Sequence, residues 1–190
     1  MHLDPRNPLV LDTKELGRRP GQMAEVERDV PAPDHLGTEV IAVPEGQPVH
    51  LELRMESVVE GVLISGTATA TATGACVRCL EQVDVPVDVS FQELFAYTDR
   101  AAHHHEVSSD DDDLYELDGD LADIEPVLRD AVVPALPFQP VCREDCPGLC
   151  SECGARLADD PGHHHEVIDP RWSALAALAS DDSDTDERRN

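Results

Sequence analysis

The chain has 190 residues, with 40 Asp or Glu against 14 Lys or Arg, for a formal net charge of −26. This length bounds it to one domain, or one domain with a small satellite, and so strong a polyanion repels phosphate backbones and anionic lipid, which disfavours broad electrostatic binding to nucleic acid or membrane. Apolar residues at 41% sustain a core and exclude wholesale disorder, while aromatics at 3% leave that core to Val, Leu, Ile and Ala, and 15 prolines favour short strands and loops over long helices.

The N-terminus, MHLDPRNPLVLD, has no apolar signal region, and the apolar run at 174–179 is far too short to span a bilayer. A cytoplasmic chain is expected, its six cysteines reduced and better suited to metal ligation or redox chemistry than to structural disulfides. Residues 8–11 read as an edge strand, because Pro8 cannot donate to a ladder. Gly17 and Pro20-Gly21 mark turns, and 23–30 reads as a second strand. Arg18-Arg19 is conspicuous in acidic surroundings but is more simply a solvated pair than a phosphate clamp.

Period-two alternation dominates the middle. Val49, Leu51, Leu53 and Met55 alternate with His50, Glu52, Arg54 and Glu56; after a turn at Glu60-Gly61, residues 62–73 set Thr67, Thr69, Thr71 and Thr73 against Ala68, Ala70 and Ala72. Val83, Val85, Val87, Val89 and Phe91 then alternate with Asp84, Pro86, Asp88 and Ser90, with Pro86 arguing for an edge or a bulge. The three predict an antiparallel meander with one solvated face. Residues 99–120 are so acidic that a solvated loop is expected, including Asp110, Asp111, Asp112 and Asp113, which lack the Gly-punctuated spacing of a calcium loop. A helix over 123–135 follows, capped by Asp123, with Pro126 in its first turn and Ile124, Val127, Leu128, Ala131 and Ala135 on one face. LPFQP at 136–140 ends it, a Cys-rich loop fills 141–154, and Asp169-Pro170 opens a short helix carrying Trp172, Leu175, Ala176 and Ala179 on one side. Residues 181–190 form a polar tail expected to be disordered.

The strongest chemical signal is VCREDCPGLCSECG at 141–154, which places Cys142, Cys146, Cys150 and Cys153 within twelve residues. A C-x-x-C turn followed by Gly, as at Cys150–Cys153, points both sulfurs at one metal, and a second C-x-x-C, Cys76-Val77-Arg78-Cys79, lies between two predicted strands. Six thiols do not complete four-coordinate sites in even number, so His163 and His165 are natural additions, since alternate side chains of an extended segment share a face and His164 then points away. One partition joins Cys76 and Cys79 to Cys142 and Cys146, and Cys150 and Cys153 to His163 and His165. The rival places one zinc on Cys142, Cys146, Cys150 and Cys153 and leaves Cys76 and Cys79 as free thiols. The other histidine run, His103-His104-His105, has no adjoining Cys and reads as a solvated loop. Gly-rich phosphate loops, G-x-S-x-G and H-E-x-x-H are absent, and a fully subscribed thiolate site leaves no open position for catalysis, so no enzyme is expected.

PLVLDTKELGRRPG, CVRCLE, LP-x-x-P, CREDCPGLCSECG and DPRWSAL occur here in the order found in the YceD-like large ribosomal RNA subunit accumulation family, which the chain resembles over nearly its whole length. The HHHEVIDPRW ending resembles an actinobacterial branch, and many relatives carry Cys-x-Cys where this chain has His163 and His165, which favours the two histidines as ligands. The resemblance implies a cytoplasmic bacterial protein supporting accumulation of 23S ribosomal RNA through its synthesis, processing or stability. The expected architecture is α+β: an antiparallel β-meander or small barrel with one packed helix, a Cys-rich zinc-knuckle module and a short C-terminal helix. Its expected parts are an N-terminal β domain (1–98), the acidic loop (99–120), a helix with a Pro-rich exit (121–140), a Cys/His metal module with terminal helix (141–180) and the tail. The leading expectation is a non-enzymatic factor stabilised by one or two structural zinc ions. Its partner would be a ribosome-assembly or rRNA-processing protein, such as a basic ribosomal protein, with no membrane. An RNA-binding zinc ribbon and a thiol-based redox or zinc-sensing regulator stay open as alternatives.

Overall fold

The alternation read at 49–56, 62–73 and 83–91 becomes three consecutive antiparallel strands, β5 (Pro48–Ser57), β6 (Gly61–Ala75) and β7 (Gln82–Ala96), in the computed structural model, which describes residues 3–98 and 115–165. The chain divides into two compact units, Met1–Cys146 and Pro147–Asn190. In the first, β2 (Met23–Pro31) lies along the outer edge of β5, from Met23↔Glu56 to Pro31↔Pro48. Where β5 leaves β6, β4 (Ile41–Val43) takes over the same edge through Ile41↔Gly74 and Ala42↔Thr73, and β3 (Leu36–Gly37) pairs with β4. A Cβ at Gly74 would lie 2.6 Å from the Val40 carbonyl oxygen, so only glycine lets β4 approach so closely. No pairing among the described residues joins β2 to β7, so the sheet is an open meander rather than a closed barrel.

The pleat sorts the two faces. Val49, Leu51, Leu53, Met55, Ile64, Ala68, Ala72 and Val87 are buried on one side, continuous with the rest of the core. The helix α1 (Glu125–Ala135) packs against β7 and β3 with Val127, Leu128 and Val132 buried. It starts later than the expected 123, but Asp123 still acts at its entrance: its Oδ1 accepts the Glu125 N–H at 3.0 Å. The expected stripe also shifts. Ala135 is exposed, and Val132 and Leu136 take the inward positions, because larger side chains four residues on from Leu128 fill the space against the sheet. Pro134 sits in the last turn and Leu136 is already extended. Arg129 ties the helix down, donating to the carbonyls of His35 (2.6 Å) and Asp34 (3.0 Å).

Two stretches differ from the sequence reading. The N-terminal apolar run forms β1 (Val10–Asp12), which pairs with β9 (Leu121–Asp123) in a separate two-stranded sheet instead of joining the main one. The end of the expected acidic loop is ordered: β8 (Tyr115–Glu116) runs parallel to the end of β7, and Leu117 is buried. Tyr115 and Leu117 are the apolar residues of that stretch, and Tyr115 packs 5.4 Å from Phe95, centroid to centroid. The remainder of that loop with His103–His105 and Asp110–Asp113, the expected helix after Asp169 with Trp172, and the tail lie outside the described residues. Among the described residues no helix is long and apolar enough to cross a membrane.

The solvated face of the sheet carries Glu25, Glu27, Asp29, His50, Glu52, Thr67, Thr69, Asp84 and Asp88. His50 sits among three carboxylates: Nδ1 is 2.9 Å from Asp29, and Nε2 is 3.8 Å from both Glu27 and Glu52. The hydrogen bond to Asp29 raises the His50 pKa above its ordinary value, with the three negative charges adding and partial desolvation opposing. A raised folded-state pKa gives stability that is complete below the unfolded value of about 6.5 and is lost as pH rises through the folded one. Replacing His50 with Gln should therefore flatten the pH dependence of the denaturation midpoint across neutrality and leave the alkaline midpoint unchanged, which denaturant melts over a pH series would check.

Candidate metal centres

The turn between β6 and β7 is built around two cysteines. The Cys76 N–H donates to the Glu81 carbonyl (2.7 Å) and the Leu80 N–H to the Cys76 carbonyl (2.9 Å), closing a tight loop with Leu80 at φ 62°. Residues 140–146 are laced onto it. The Val77 N–H donates to the Pro140 carbonyl (2.9 Å), and the Arg78 guanidinium donates to the carbonyls of Glu144 (3.0 Å) and Cys146 (3.1 Å). The result brings cysteines more than sixty residues apart into contact: Cys76 Sγ lies 3.9 Å from Cys146 Sγ, and Cys79 Sγ lies 3.7 Å from Cys142 Sγ. All four sulfurs fall within 4.8 Å of one another, with Cys76, Cys79 and Cys146 buried.

These distances fit a tetrahedral ion. Zn–S bonds of about 2.3 Å put sulfurs about 3.8 Å apart, whereas a disulfide needs about 2.05 Å; all six cysteines are free thiols. Ionisation points the same way. Burial raises the Cys76 thiol, but the N–H groups of Cys142, Arg78 and Cys79 directed at its sulfur, with the Cys79 side chain, outweigh burial and bring it down to about 6. Cys142 is pushed up to about 12 by the Cys146 side chain, desolvation and the neighbouring Cys79 and Cys76 sulfurs. A bare cluster therefore gives up its first proton easily and holds its last one, and a divalent cation at the centre relieves the repulsion that holds it.

The second unit repeats the backbone device. The Cys150 N–H donates to the Ala155 carbonyl (2.7 Å) and the Gly154 N–H to the Cys150 carbonyl (2.8 Å), with Gly154 at φ 73°. The N–H groups of Cys153 and Glu152 facing the Cys150 sulfur lower its pKa. His163 and His165 close on this turn. Cys153 Sγ is 3.1 Å from His163 Nε2 and 3.2 Å from His165 Nε2, and the two rings meet edge to face at 4.6 Å. Cys150, Cys153, His163 and His165 offer four ligand atoms within 4.8 Å, while His164 turns away to the Gly162 carbonyl (2.9 Å). Asp160 supports the arrangement: its Oδ1 accepts the Gly162 N–H at 3.2 Å, and its Oδ2 lies 3.9 Å from His163 Nδ1, where a carboxylate orients a ligating imidazole.

The eight side chains singled out from the sequence thus fall into two sets of four. Cys76 and Cys79 face Cys146 and Cys142, and Cys150 and Cys153 face His163 and His165. Two residues escaped the sequence reading. Arg78 was visible only as a cation inside a C-x-x-C turn; its role depends on carbonyls 66 and 68 residues away. Leu80 holds the left-handed position that Gly154 holds in the other turn. The Arg18 guanidinium carbon lies 4.6 Å from the Tyr97 ring centroid, and its Nη2 lies 3.8 Å from Asp120 Oδ1. A left-handed L-residue costs about 1–2 kcal/mol, which glycine avoids. Gly154→Leu should thus weaken amide protection around Cys150 and Ala155 by about 1 kcal/mol, while Leu80→Gly leaves that around Cys76 and Glu81 unchanged or stronger, read by hydrogen exchange on both variants.

A family model described as "Large ribosomal RNA subunit accumulation protein YceD" matches residues 64–179, a span containing both Cys/His sets. An uncharacterised protein of Mycobacterium tuberculosis strain H37Rv is 46% identical over 179 residues, covering 94% of this chain and 85% of the relative. One from Mycobacterium leprae is 42% identical over 188 residues (97% and 85%), and the uncharacterised protein YlbN of Bacillus subtilis is 27% identical over 147 residues (73% and 78%). No solved structure matches. With the family model covering more than half of the chain and mycobacterial relatives aligned along nearly all of it, the chain belongs to the YceD family of large ribosomal RNA subunit accumulation proteins.

Proposed function

We propose that this protein is a non-enzymatic, zinc-stabilised factor that supports accumulation of 23S ribosomal RNA during large-subunit biogenesis, acting in the synthesis, processing or stability of that RNA. The observation that carries the reading is the coincidence of the family match with two four-ligand Cys/His sets inside the matched span. Zinc is the favoured ion because thiolates with or without imidazoles, at tetrahedral spacing, are its preferred donors, and four protein ligands leave no open position for substrate. Cys76, Cys79, Cys142 and Cys146 would hold one ion, and Cys150, Cys153, His163 and His165 a second. Direct binding of RNA is disfavoured by the net charge of −26 and by the acids on the solvated face of the sheet, so the reading is of a protein that engages an assembly or processing protein, such as a basic ribosomal protein.

The two ions would do different work. The first set rests on β6 and β7 above an extensive core. In the second unit no large apolar side chain is buried among the described residues, so metal ligation must offset the ordering entropy, with structural zinc supplying on the order of 10 kcal/mol. Chelation at neutral pH should therefore abolish amide protection in residues 147–165 and leave that of β5–β7 intact, and Cys153→Ala should cost more local protection than Cys79→Ala. Because protons compete for thiolates and imidazoles, mild acid should release the second ion first, followed as zinc appearing in a colorimetric indicator. Protection of 147–165 that survives complete chelation defeats the zinc-stabilised reading.

The function itself is tested by depleting the protein in its own host and resolving ribosomal particles on a sucrose gradient. The expected result is a large-subunit peak and a 23S RNA level that fall relative to the small subunit. An unchanged large-subunit peak overturns the proposal.

A further inference from the structure

Among the described residues seven large apolar side chains are exposed, and four of them lie on the two segments that carry the first cysteine set: Val77 (44%), Leu80 (67%), Phe138 (88%) and Val141 (38%). The other three, Met23, Val40 and Val59, are scattered through loops and the start of β2. The four are gathered by hydrogen bonding as well as by sequence. The Val77 N–H binds the carbonyl of Pro140, which lies between Phe138 and Val141 in the chain, and Cys79, next to Leu80, meets Cys142, next to Val141, at 3.7 Å. Single exposed apolar residues are ordinary, but a group of four on one bonded pair of loops is the signature of an interaction surface.

Leu80 sharpens this. The second turn places Gly154 where the first places Leu80, with the same two backbone hydrogen bonds and nearly the same φ. Glycine is therefore sufficient for the fold there, and the leucine side chain, two-thirds exposed, buries little within the chain in return for its left-handed backbone. That exposed side chain is available to a partner. The acids beside it give the character of the occupant. Glu81 follows Leu80, and Glu144 and Asp145 follow Cys142, all three exposed. Of the nearby cations, Arg78 binds the Glu144 and Cys146 carbonyls, and Arg143 is paired with Asp145 at 3.3 Å. A phosphate-bearing partner is repelled by this rim, and so is a second copy of a chain with net charge −26.

We infer that Val77, Leu80, Phe138 and Val141 form a docking surface for a basic polypeptide segment that inserts apolar side chains between its lysines or arginines. This deepens the partner assignment proposed above and rests on it only for the identity of the partner. Apolar contact would supply the anchor, and Glu144 with the chain's net charge of −26 would attract the flanking cations and set the rate of encounter.

The test titrates the zinc-loaded full chain with a short fluorescent lysine–leucine peptide, a lysine–serine counterpart and an oligouridine, at physiological salt. The lysine–leucine peptide is expected to bind more tightly than the other two. Leu80→Gly, which keeps the backbone conformation and so should keep zinc content and melting temperature, should weaken that peptide about tenfold and leave the salt-sensitive binding of the lysine–serine peptide unchanged. Phe138→Ser, at a fully displayed position, should do the same. Equal affinity for both peptides, or undiminished lysine–leucine binding in both variants, overturns the docking surface. So does preferential binding of oligouridine, or self-association of the wild type that Leu80→Gly abolishes. None of these readings involves ribosomes, so a failed gradient experiment and a failed docking surface are separately visible.

Discussion

A fifteen-residue strand hydrogen-bonded along both edges fixes where the rest of the first unit goes. β6 gives one edge to β7 along its whole length and divides the other between β5 and β4. So long a strand cannot slip by one residue without moving its whole apolar set to the wrong face, and the alternation of Ile64, Ala68 and Ala72 with Thr67, Thr69 and Thr71 therefore pins the register. The small residues of β6 matter as much as its β-branched ones, since Gly74 admits β4 and the alanines let the core layer come close. The same strand ends at Cys76. Its rigidity delivers the first cysteine pair to a defined point, and residues 140–146 come to meet that pair after the helix.

The two C-x-x-C turns use one hydrogen-bond pattern in opposite settings. In the first, the pattern is an ornament on a stable sheet, and the guanidinium of Arg78 adds two bonds that bind the distant cysteine segment to it. In the second, the pattern stands almost alone, with Leu149 paired to Arg156 by an isolated bridge and every described apolar side chain at least partly open to water. The donor sets differ accordingly. Four thiolates around a divalent ion would carry a surplus negative charge, whereas two thiolates and two neutral imidazoles would be balanced by it.

Acidity is distributed with the same economy. The buried face of the sheet contains almost no charge, and the solvated face holds a band of carboxylates around one histidine. A chain so charged is attracted to basic surfaces and repelled by phosphate backbones.

The sequence by itself determined the elements whose signal is local. Strict alternation marks β5, β6 and β7 because a pleated strand with one wet face admits little else. Asp123, Pro126 and the apolar spacing announce α1 to within two residues, and C-x-x-C with a following Gly announces Cys150–Cys153. The CREDCPGLCSECG and CVRCLE segments point to the family that the comparisons establish. What only the tertiary structure decided is everything that depends on partners remote in sequence. β3, β4, β8 and β9 are two or three residues long and carry no periodicity; they exist because a neighbouring edge offers hydrogen bonds. The short apolar run near the N-terminus pairs with residues 121–123, a choice invisible in either segment alone. The grouping of Cys76 with Cys146 and of Cys79 with Cys142 had a plausible rival, since spacing fixes which cysteines share a turn but not which turns meet. That meeting is set by the length of β6, the return of the chain through α1 and the bonds from Val77 and Arg78, and none of these is written in the cysteine spacing.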